Sequence, residues 1–257
     1  LRKAIDPDKT ALVSIIWANN ETGLINPVKE YGEICRENGV KLHLDGVQAI
    51  GKIPVDMKSI LADYMTFSAH KFHGPKGAGA LYIRKGSSLI PLLHGGEQMA
   101  GLRAGTVNTA FMVGMGYALE LAVDNLEYEA TTVRRLRDKL EDAILEIDDV
   151  EVIGKRELRT PNTILASFKG IEGEAFLWDL NQRGVAASTG SACSSESLES
   201  NPTFMAMKIG DDLAHTGMRF SLSRYTTEEE IDYAVEAIKG TVERLRGISS
   251  TGEKQYI

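Results

Sequence analysis

Lys71 ends an apolar, strand-like run, Ala62-Asp63-Tyr64-Met65-Thr66-Phe67-Ser68-Ala69-His70-Lys71. A glycine-rich turn, Gly74-Pro75-Lys76-Gly77-Ala78-Gly79, follows, and then a second apolar stretch, Ala80-Leu81-Tyr82-Ile83. An ammonium in such a setting loses solvation free energy unless it is ion-paired, exposed at the strand end, or consumed in a covalent bond. The covalent option carries chemistry, because a lysine with a depressed pKa is a Schiff-base nucleophile. One strand earlier, Val40-Lys41-Leu42-His43-Leu44 ends at Asp45, three residues before Gln48. Taken alone, Asp45-Gly46 is an ordinary turn, and Lys71 an ordinary exposed or paired lysine. Together, a carboxylate at one strand end and a lysine at the next, 26 residues on, form the pair that pyridoxal phosphate chemistry needs. The amine attaches the cofactor and the carboxylate holds a proton on its ring nitrogen.

A nucleophile of another kind lies further on. Cys193 sits in Ser188-Thr189-Gly190-Ser191-Ala192-Cys193-Ser194-Ser195, the composition of an exposed loop rather than a core. An exposed cysteine in a reducing compartment is a liability unless it is used, with an incidental loop cysteine as the plainer alternative. Cys35 lies on the apolar face of a helix and reads as core packing. Arg219 reads as a surface arginine on a strand, a reading that its apolar neighbours weaken. His43 reads as a packed, hydrogen-bonded side chain. His73, His94 and His215 are not spaced as zinc ligands, so no metal site is expected from this chain alone. The glycines from Gly74 to Gly79 do not match the dinucleotide fingerprint.

These residues need strand ends to hold them. Thr10 to Trp17 is nearly all apolar, as a strand buried on both faces is. Asn19-Asn20-Glu21-Thr22-Gly23 punctuates it, and Pro27 opens a helix with Val28, Tyr31, Ile34 and Cys35 on one face, closed by Asn38-Gly39. Strand patterns at Val40–Leu44, Tyr64–Phe67 and Gly79–Ile83 follow, with short connections: the signature of a mainly parallel sheet covered by helices. Such sheets bind ligands at their strand ends, where Asn20, Asp45, Ser68, His70 and Lys71 fall. From Val113 to Leu140 the pattern is long and helical, with Arg134, Arg135, Arg137 and Lys139 on a solvated face. Beyond it, Val150–Ile153, Thr163–Phe168 and Met218–Leu222 read as strands and Gly173–Asn181 as a helix. Thr226-Thr227-Glu228-Glu229-Glu230 is a capping-box start to a last helix through Leu245, with a polar tail after Ser249.

The chain has 257 residues, is 43% hydrophobic and 25% charged, and carries a net charge of -7. That balance argues against non-specific nucleic-acid binding and against an anionic membrane surface. No apolar run approaches the ~20 residues of a membrane span. Two cysteines cannot build a disulfide framework and point to a reducing cytoplasm. The sequence opens at Leu1 without an initiating methionine and runs almost directly into a strand pattern, which reads as a fragment or a processed product.

Asn19-Asn20-Glu21-Thr22-Gly23, His43-Leu44-Asp45-Gly46-Val47-Gln48 and Ser68-Ala69-His70-Lys71-Phe72-His73-Gly74-Pro75-Lys76-Gly77 resemble the cofactor motifs of NifS/IscS-type cysteine desulfurases. These are fold-type I, class V aminotransferase-related pyridoxal phosphate enzymes. Arg103-Ala104-Gly105-Thr106, the Cys193 segment and His215-Thr216-Gly217-Met218-Arg219-Phe220-Ser221 are similar to further motifs of that family, in the same order. The resemblance covers nearly the whole chain. It implies an α/β fold: an aspartate aminotransferase-like large domain with a mainly parallel sheet, its N-terminal part missing, in residues 1–125. A smaller α+β C-terminal domain with the catalytic-cysteine loop would occupy residues 126–257.

By that resemblance Lys71 and Cys193 are catalytic. Pyridoxal 5'-phosphate is bound by Lys71, by Asp45 at its ring nitrogen, by Gln48 and Asn20 near its phenolic oxygen, and by Ser68 and His70 at its phosphate. Thr106 reaches the phosphate of the other subunit of a homodimer. Arg219, with Asn20, takes the substrate carboxylate, a task for which a bidentate guanidinium is well shaped. L-cysteine becomes L-alanine, and sulfur passes to Cys193 as a persulfide for an iron–sulfur scaffold protein or another acceptor. Cys193 could also ligate a transferred iron–sulfur cluster, with no metal site in this chain alone. Another fold-type I enzyme, such as an aminotransferase or selenocysteine lyase, would share Lys71 and Asp45, and an inactive fragment would act only as a binding module. The chain departs from the family at Glu97, Met99, Ala100 and Ala104. Family members also carry further chain upstream, which supplies a phosphate-binding turn and a histidine stacked on the cofactor ring.

Overall fold

A computed structural model of the chain describes residues 1–189, 202–210, 213 and 215–253. It divides into two compact units: Leu1–Ala18 with Ile25–Leu126, and Asn19–Leu24 with Glu127–Ile257. The short excursion Asn19–Leu24 therefore belongs with the C-terminal half, a connection that a linear division of the chain does not contain.

The first unit is built from β1 (Leu12–Ile16), α1 (Val28–Glu37), β2 (Lys41–Asp45), β3 (Tyr64–Ser68), β4 (Gly79–Ile83) and α2 (Thr109–Asp124). The strands stand in chain order; β1, β2 and β3 are parallel and β4 is antiparallel to β3. Parallel pairing of β1 with β2 requires a crossover, which α1 provides. Helix α1 buries Val28, Gly32 and Cys35, one helical face, and ends at Gly39 with φ +66°, a left-handed position that glycine accepts without strain. Leu42, Leu44, Met65 and Phe72 pack under α1 and α2 with Val28, Cys35, Ala118 and Ala122. Side chains alternate across a strand, so Ser14, His43, Asp45, Thr66 and Ser68 occupy the opposite face.

Two expectations for this half are corrected. Strand β1 is not buried on both faces: Leu12 and Ile16 are 48% and 41% exposed. It is the edge of the described sheet, and only Val13 and Ile15 turn toward the helix-covered core. An all-apolar run has no period, so it does not reveal which face is covered. The long helix is also broken. Helix α2 stops at Asn125, whose amide side chain bonds the Leu121 carbonyl at 2.7 Å. A single turn, α3 (Leu126–Tyr128), and a π-turn at Glu129–Val133 then lead into α4 (Arg134–Leu145).

The second unit contains β5 (Val150–Val152), β6 (Thr163–Phe168), α5 (Gly173–Gln182), β7 (Ser188–Thr189), α6 (Pro202–Ala206), β8 (Gly217–Ser221) and α7 (Glu228–Glu253). Its sheet is antiparallel, in the order β5-β6-β8-β7. All of β6 is buried. Ile164, Ala166 and Phe168 meet α4, α5 and α7, whereas Leu165 packs with Ile153 and Phe204 on the other side. The capping box at the start of α7 forms: Thr227 N–H donates to Glu230 Oε2 at 2.9 Å and Glu230 N–H to Thr227 Oγ1 at 3.2 Å. The helix then continues to Glu253, through the stretch that reads as a polar tail.

Helix α4 holds the other correction. Arg134 and Arg135 face solvent, but Arg137 is buried, with a side chain only 2% exposed. The buried stripe is two residues wide. Leu136, Leu140 and Ile144 form its apolar edge, and Arg137 and Glu141 its charged edge.

Candidate active site

Asp45 is the last residue of β2 and half-buried, and its Oδ1 accepts the Val47 N–H at 2.9 Å. The same turn carries half-buried Gln48; its backbone is closed by Ala49 and Ile50 N–H bonds to the Gly46 carbonyl, at 2.9 and 3.1 Å. Gly46 permits that closeness, since a Cβ there would stand 2.9 Å from Met65 Sδ. Ser68 ends β3 on the face that carries Asp45, opposite Gly79 of β4.

After Ser68 the chain makes one 3-10 turn, Ala69–Phe72. With three residues per turn, Ala69 and Phe72 fall on the same side and are buried, so His70 and Lys71 project outward. The turn is tied down by Ala69 N–H to the Ala78 carbonyl at 3.0 Å and by Gly74 N–H to the Ala69 carbonyl at 2.8 Å. Lys52 Nζ donates to the Lys71 carbonyl at 3.0 Å. The Lys71 side chain is exposed at the strand end, not buried. Thr106 is exposed and lines a depression of about 310 Å³ with Gly77–Gly79, Arg103 and Phe111.

His43 is satisfied, as a packed histidine should be. Its Nδ1 lies 2.8 Å from Ser14 Oγ and its Nε2 3.2 Å from Thr66 Oγ1. Burial lowers its pKa, and the nearby Asp45 charge acts in the opposite direction. Cys35 is buried in the core, and burial raises its thiol pKa. Among the described residues no group of His, Cys, Asp and Glu side chains is arranged to hold a metal ion. Nor is any helix there long and apolar enough to cross a membrane.

The second unit brings together two candidates that are far apart in sequence. Arg219, on β8, donates from Nη1 to the Asn20 carbonyl at 2.8 Å across 199 residues. The turn that presents Asn20 is shaped by its neighbour. Asn19 Oδ1 accepts the Glu21 and Thr22 N–H groups, both at 2.9 Å, and the Thr22 hydroxyl at 3.1 Å. Gly23 closes the turn at φ +73°, and a Cβ there would stand 2.9 Å from Thr163 Cβ. Strand β7 runs beside Arg219, pairing Ser188 with it. Cys193, four residues past Thr189, lies outside the described residues.

Sequence reasoning reads Asn19 to Gly23 as a turn, places Arg137 on a solvated face, and misses Glu141, Arg159 and Thr160. An Asn-initiated turn ending in glycine was legible at Asn19-Asn20-Glu21-Thr22-Gly23. No local signal marked the buried charges.

A mainly parallel sheet with its polar groups at the strand ends, followed by an antiparallel unit carrying an arginine, is a class of fold shared by many cofactor enzymes. This chain belongs to the aminotransferase class-V family, whose sequence model matches residues 1–234. It is 49% identical over 249 residues to a cysteine desulfurase of Klebsiella pneumoniae, covering 96% of this chain and 62% of that protein. It is 47% identical over 243 residues to the cysteine desulfurase NifS of Azotobacter vinelandii, covering 94% of this chain and 60% of that protein. A solved NifS-like protein matches with a TM-score of 0.87 at 39% identity, over 94% of this chain and 63% of that one. The chain thus spans about three-fifths of the length of these relatives.

The residues present suit pyridoxal phosphate. Asp45 has one oxygen engaged by its own turn and sits half-buried at a parallel strand end, an anchored carboxylate of the kind that a pyridine nitrogen takes. Lys71 offers an accessible primary amine, and Ser68 and His70 offer phosphate donors from the same strand-turn segment.

Proposed function

We propose that the protein is a cysteine desulfurase, converting L-cysteine to L-alanine with the sulfur carried away on Cys193. The observation that carries this reading is the pairing of Asp45 and Lys71 at the ends of the adjacent parallel strands β2 and β3. Relatives named cysteine desulfurase, at 47% and 49% identity, support the choice of substrate. Pyridoxal 5'-phosphate, when bound, supplies the electron sink at the substrate's Cα.

The chain's own residues do the rest. Lys71 attaches the cofactor and then moves the Cα proton. Asp45 holds the proton on the ring nitrogen, Gln48 donates to the phenolic oxygen, and Ser68 and His70 bind the phosphate. Arg219 and Asn20 hold the substrate carboxylate. The Cys193 thiolate attacks the substrate sulfur: an S–S bond forms, the Cβ–S bond breaks, and Cβ takes a proton to become the methyl group of alanine. A reducing cytoplasm, favoured by the two cysteines of the sequence, keeps that thiolate available.

The active form is a homodimer, with Thr106 completing the phosphate site of the second copy. The first unit's outward apolar side chains support this, Ile90 and Leu92 being 87% and 91% exposed and Val113 and Tyr117 largely so. The persulfide then passes to an iron–sulfur scaffold protein or a similar acceptor.

The test is L-alanine formation from L-cysteine by the full-length protein, with mass analysis of Cys193 for one added sulfur. Cys193→Ala is expected to lose sulfur release. Full sulfur release by that variant would sink the mechanism in favour of a lyase that does not use the thiol.

A further inference from the structure

The Asn19–Gly23 turn and Arg219 rest on a buried ionic strut that the proposed reaction does not use. Arg137 and Glu141, one helical turn apart on α4, grip two consecutive residues of the segment that leads into β6, Arg159 and Thr160. Glu141 takes Arg159 Nη2 on both oxygens, at 2.6 and 2.7 Å. Arg137 donates from Nη1 to the Thr160 carbonyl at 2.8 Å, and its Nε and Nη2 hold Asp138 at 2.9 and 2.6 Å. The far side of the same two residues carries the turn. Thr160 N–H donates to the Gly23 carbonyl at 2.8 Å, and Leu24 bridges to Arg159. Gly23 N–H donates to the Asn19 carbonyl at 3.0 Å, and Asn20 O accepts from Arg219.

Stability alone accounts poorly for this arrangement. A buried ion pair seldom outperforms well-packed apolar side chains of similar volume. Arg159 also keeps Nε and Nη1 buried without a partner among the described residues, which adds a desolvation penalty. What the strut does supply is location: α4 fixes Thr160, Thr160 fixes Gly23, and the turn fixes the carbonyl that orients the Arg219 guanidinium.

We propose that Arg137 is a positioning residue for the substrate-carboxylate clamp, seating the Asn19–Gly23 turn through Thr160 and thereby presetting Arg219. This rests on the reading of Asn20 and Arg219 as that clamp. A misplaced clamp weakens binding of the substrate carboxylate while leaving the lysine chemistry intact, so the effect falls on KM rather than kcat.

The experiment uses the full-length protein loaded with pyridoxal phosphate. Arg137→Met is expected to raise KM for L-cysteine about tenfold with kcat within about twofold, and Arg137→Lys, which keeps one donor for the Thr160 carbonyl, to recover part of that loss. In parallel, amide hydrogen exchange at Thr160 and Gly23 is expected to rise in Arg137→Met while that of Ile238, in the core of α7, holds. Unchanged KM with unchanged exchange at Thr160 and Gly23 in a folded Arg137→Met protein overturns the proposal. So does an equal loss in KM and kcat that tracks a general fall in stability. If Arg137→Met does not fold, Asp138→Asn, which loosens the guanidinium from a part-exposed partner, is read by the same two measurements and the same criteria. Failure of the wild-type protein to turn over cysteine would defeat the desulfurase reading, and the exchange of the Thr160 and Gly23 amides would still decide whether Arg137 seats the turn.

Discussion

The two units hold their working cations in opposite ways. In the first, Lys71 and His70 stand in solvent on a 3-10 turn whose backbone is pinned and whose Ala69 and Phe72 are buried. In the second, Arg219 is bonded to the Asn20 carbonyl, and behind that carbonyl stand buried Arg137, Arg159 and Glu141. The difference follows from the tasks proposed for them. An amine that attaches, leaves and returns with a proton needs a fixed root and a free head. A carboxylate clamp needs its donors preset before the substrate arrives, because orientation achieved in advance does not have to be supplied during binding.

The sharpest test of that contrast is Lys71→Ala. Turnover is expected to fall by at least about 10³-fold, while unfolding free energy shifts by less than about 0.5 kcal/mol, as for an exposed residue away from any buried contact. A Lys71→Ala protein that melts well below wild type would erase the distinction, since Lys71 would then be structural. Glu141→Leu probes the other side. It strands Arg159, whose side chain is fully buried, without its countercharge, and a loss of about 3–5 kcal/mol in denaturant unfolding is expected. Burial already pulls the Arg159 pKa down against the opposing influence of Glu141. A loss below about 1 kcal/mol would mean that water reaches Arg159 and that the strut is not closed.

Gly23→Ala compared with Gly39→Ala separates strain from collision. Both glycines have positive φ, +73° and +66°, but a Cβ at Gly39 meets nothing within 4 Å. Gly39→Ala is expected to lose about 1 kcal/mol from backbone strain alone. Gly23→Ala adds the clash with Thr163 and should lose about 2–3 kcal/mol, together with a raised KM for cysteine. Equal losses would show that the turn yields and is not a firm seat.

The smallest effect is electrostatic and fully exposed. Hydrogen bonds from Arg135 and Lys139 hold the Glu228 carboxyl down at about 2, against a usual 4.5. A depressed carboxylate contributes stability above its unfolded pKa, and that contribution fades as pH falls from about 4.5 through about 2. Glu228→Gln should therefore move the melting midpoint slightly at pH 7 and progressively less as pH falls from about 4.5 through about 2, with salt reducing the difference. A large, salt-insensitive shift would assign Glu228 to the buried network instead.

Legibility in the sequence differed between the two units for the same reason. Asp45, Gln48, Ser68, His70 and Lys71 lie within or directly after strands, so their spacing reports their position. The Asn20–Arg219 pairing joins residues 199 apart, and nothing local foretells it. Arg137 was misread as solvated because a charged residue beside Arg134 and Arg135 ordinarily is. Its burial depends on Thr160 offering a carbonyl on the facing strand connection. Strand β1 was misread for the converse reason: an apolar run states what a residue prefers, not whether a partner is there to cover it.

By itself, the sequence determined most of the elements, the parallel sheet and the order of polar groups at its strand ends, because period, caps and turn residues act over a few positions. It also determined the family, since the motifs carrying the resemblance are contiguous. Only the tertiary structure decided that Lys71 is exposed while Arg137 is buried, and that the Asn19–Leu24 turn belongs with the C-terminal unit. Those outcomes depend on which distant backbone carbonyls and side chains arrive at a charged group, and on whether they repay its lost hydration.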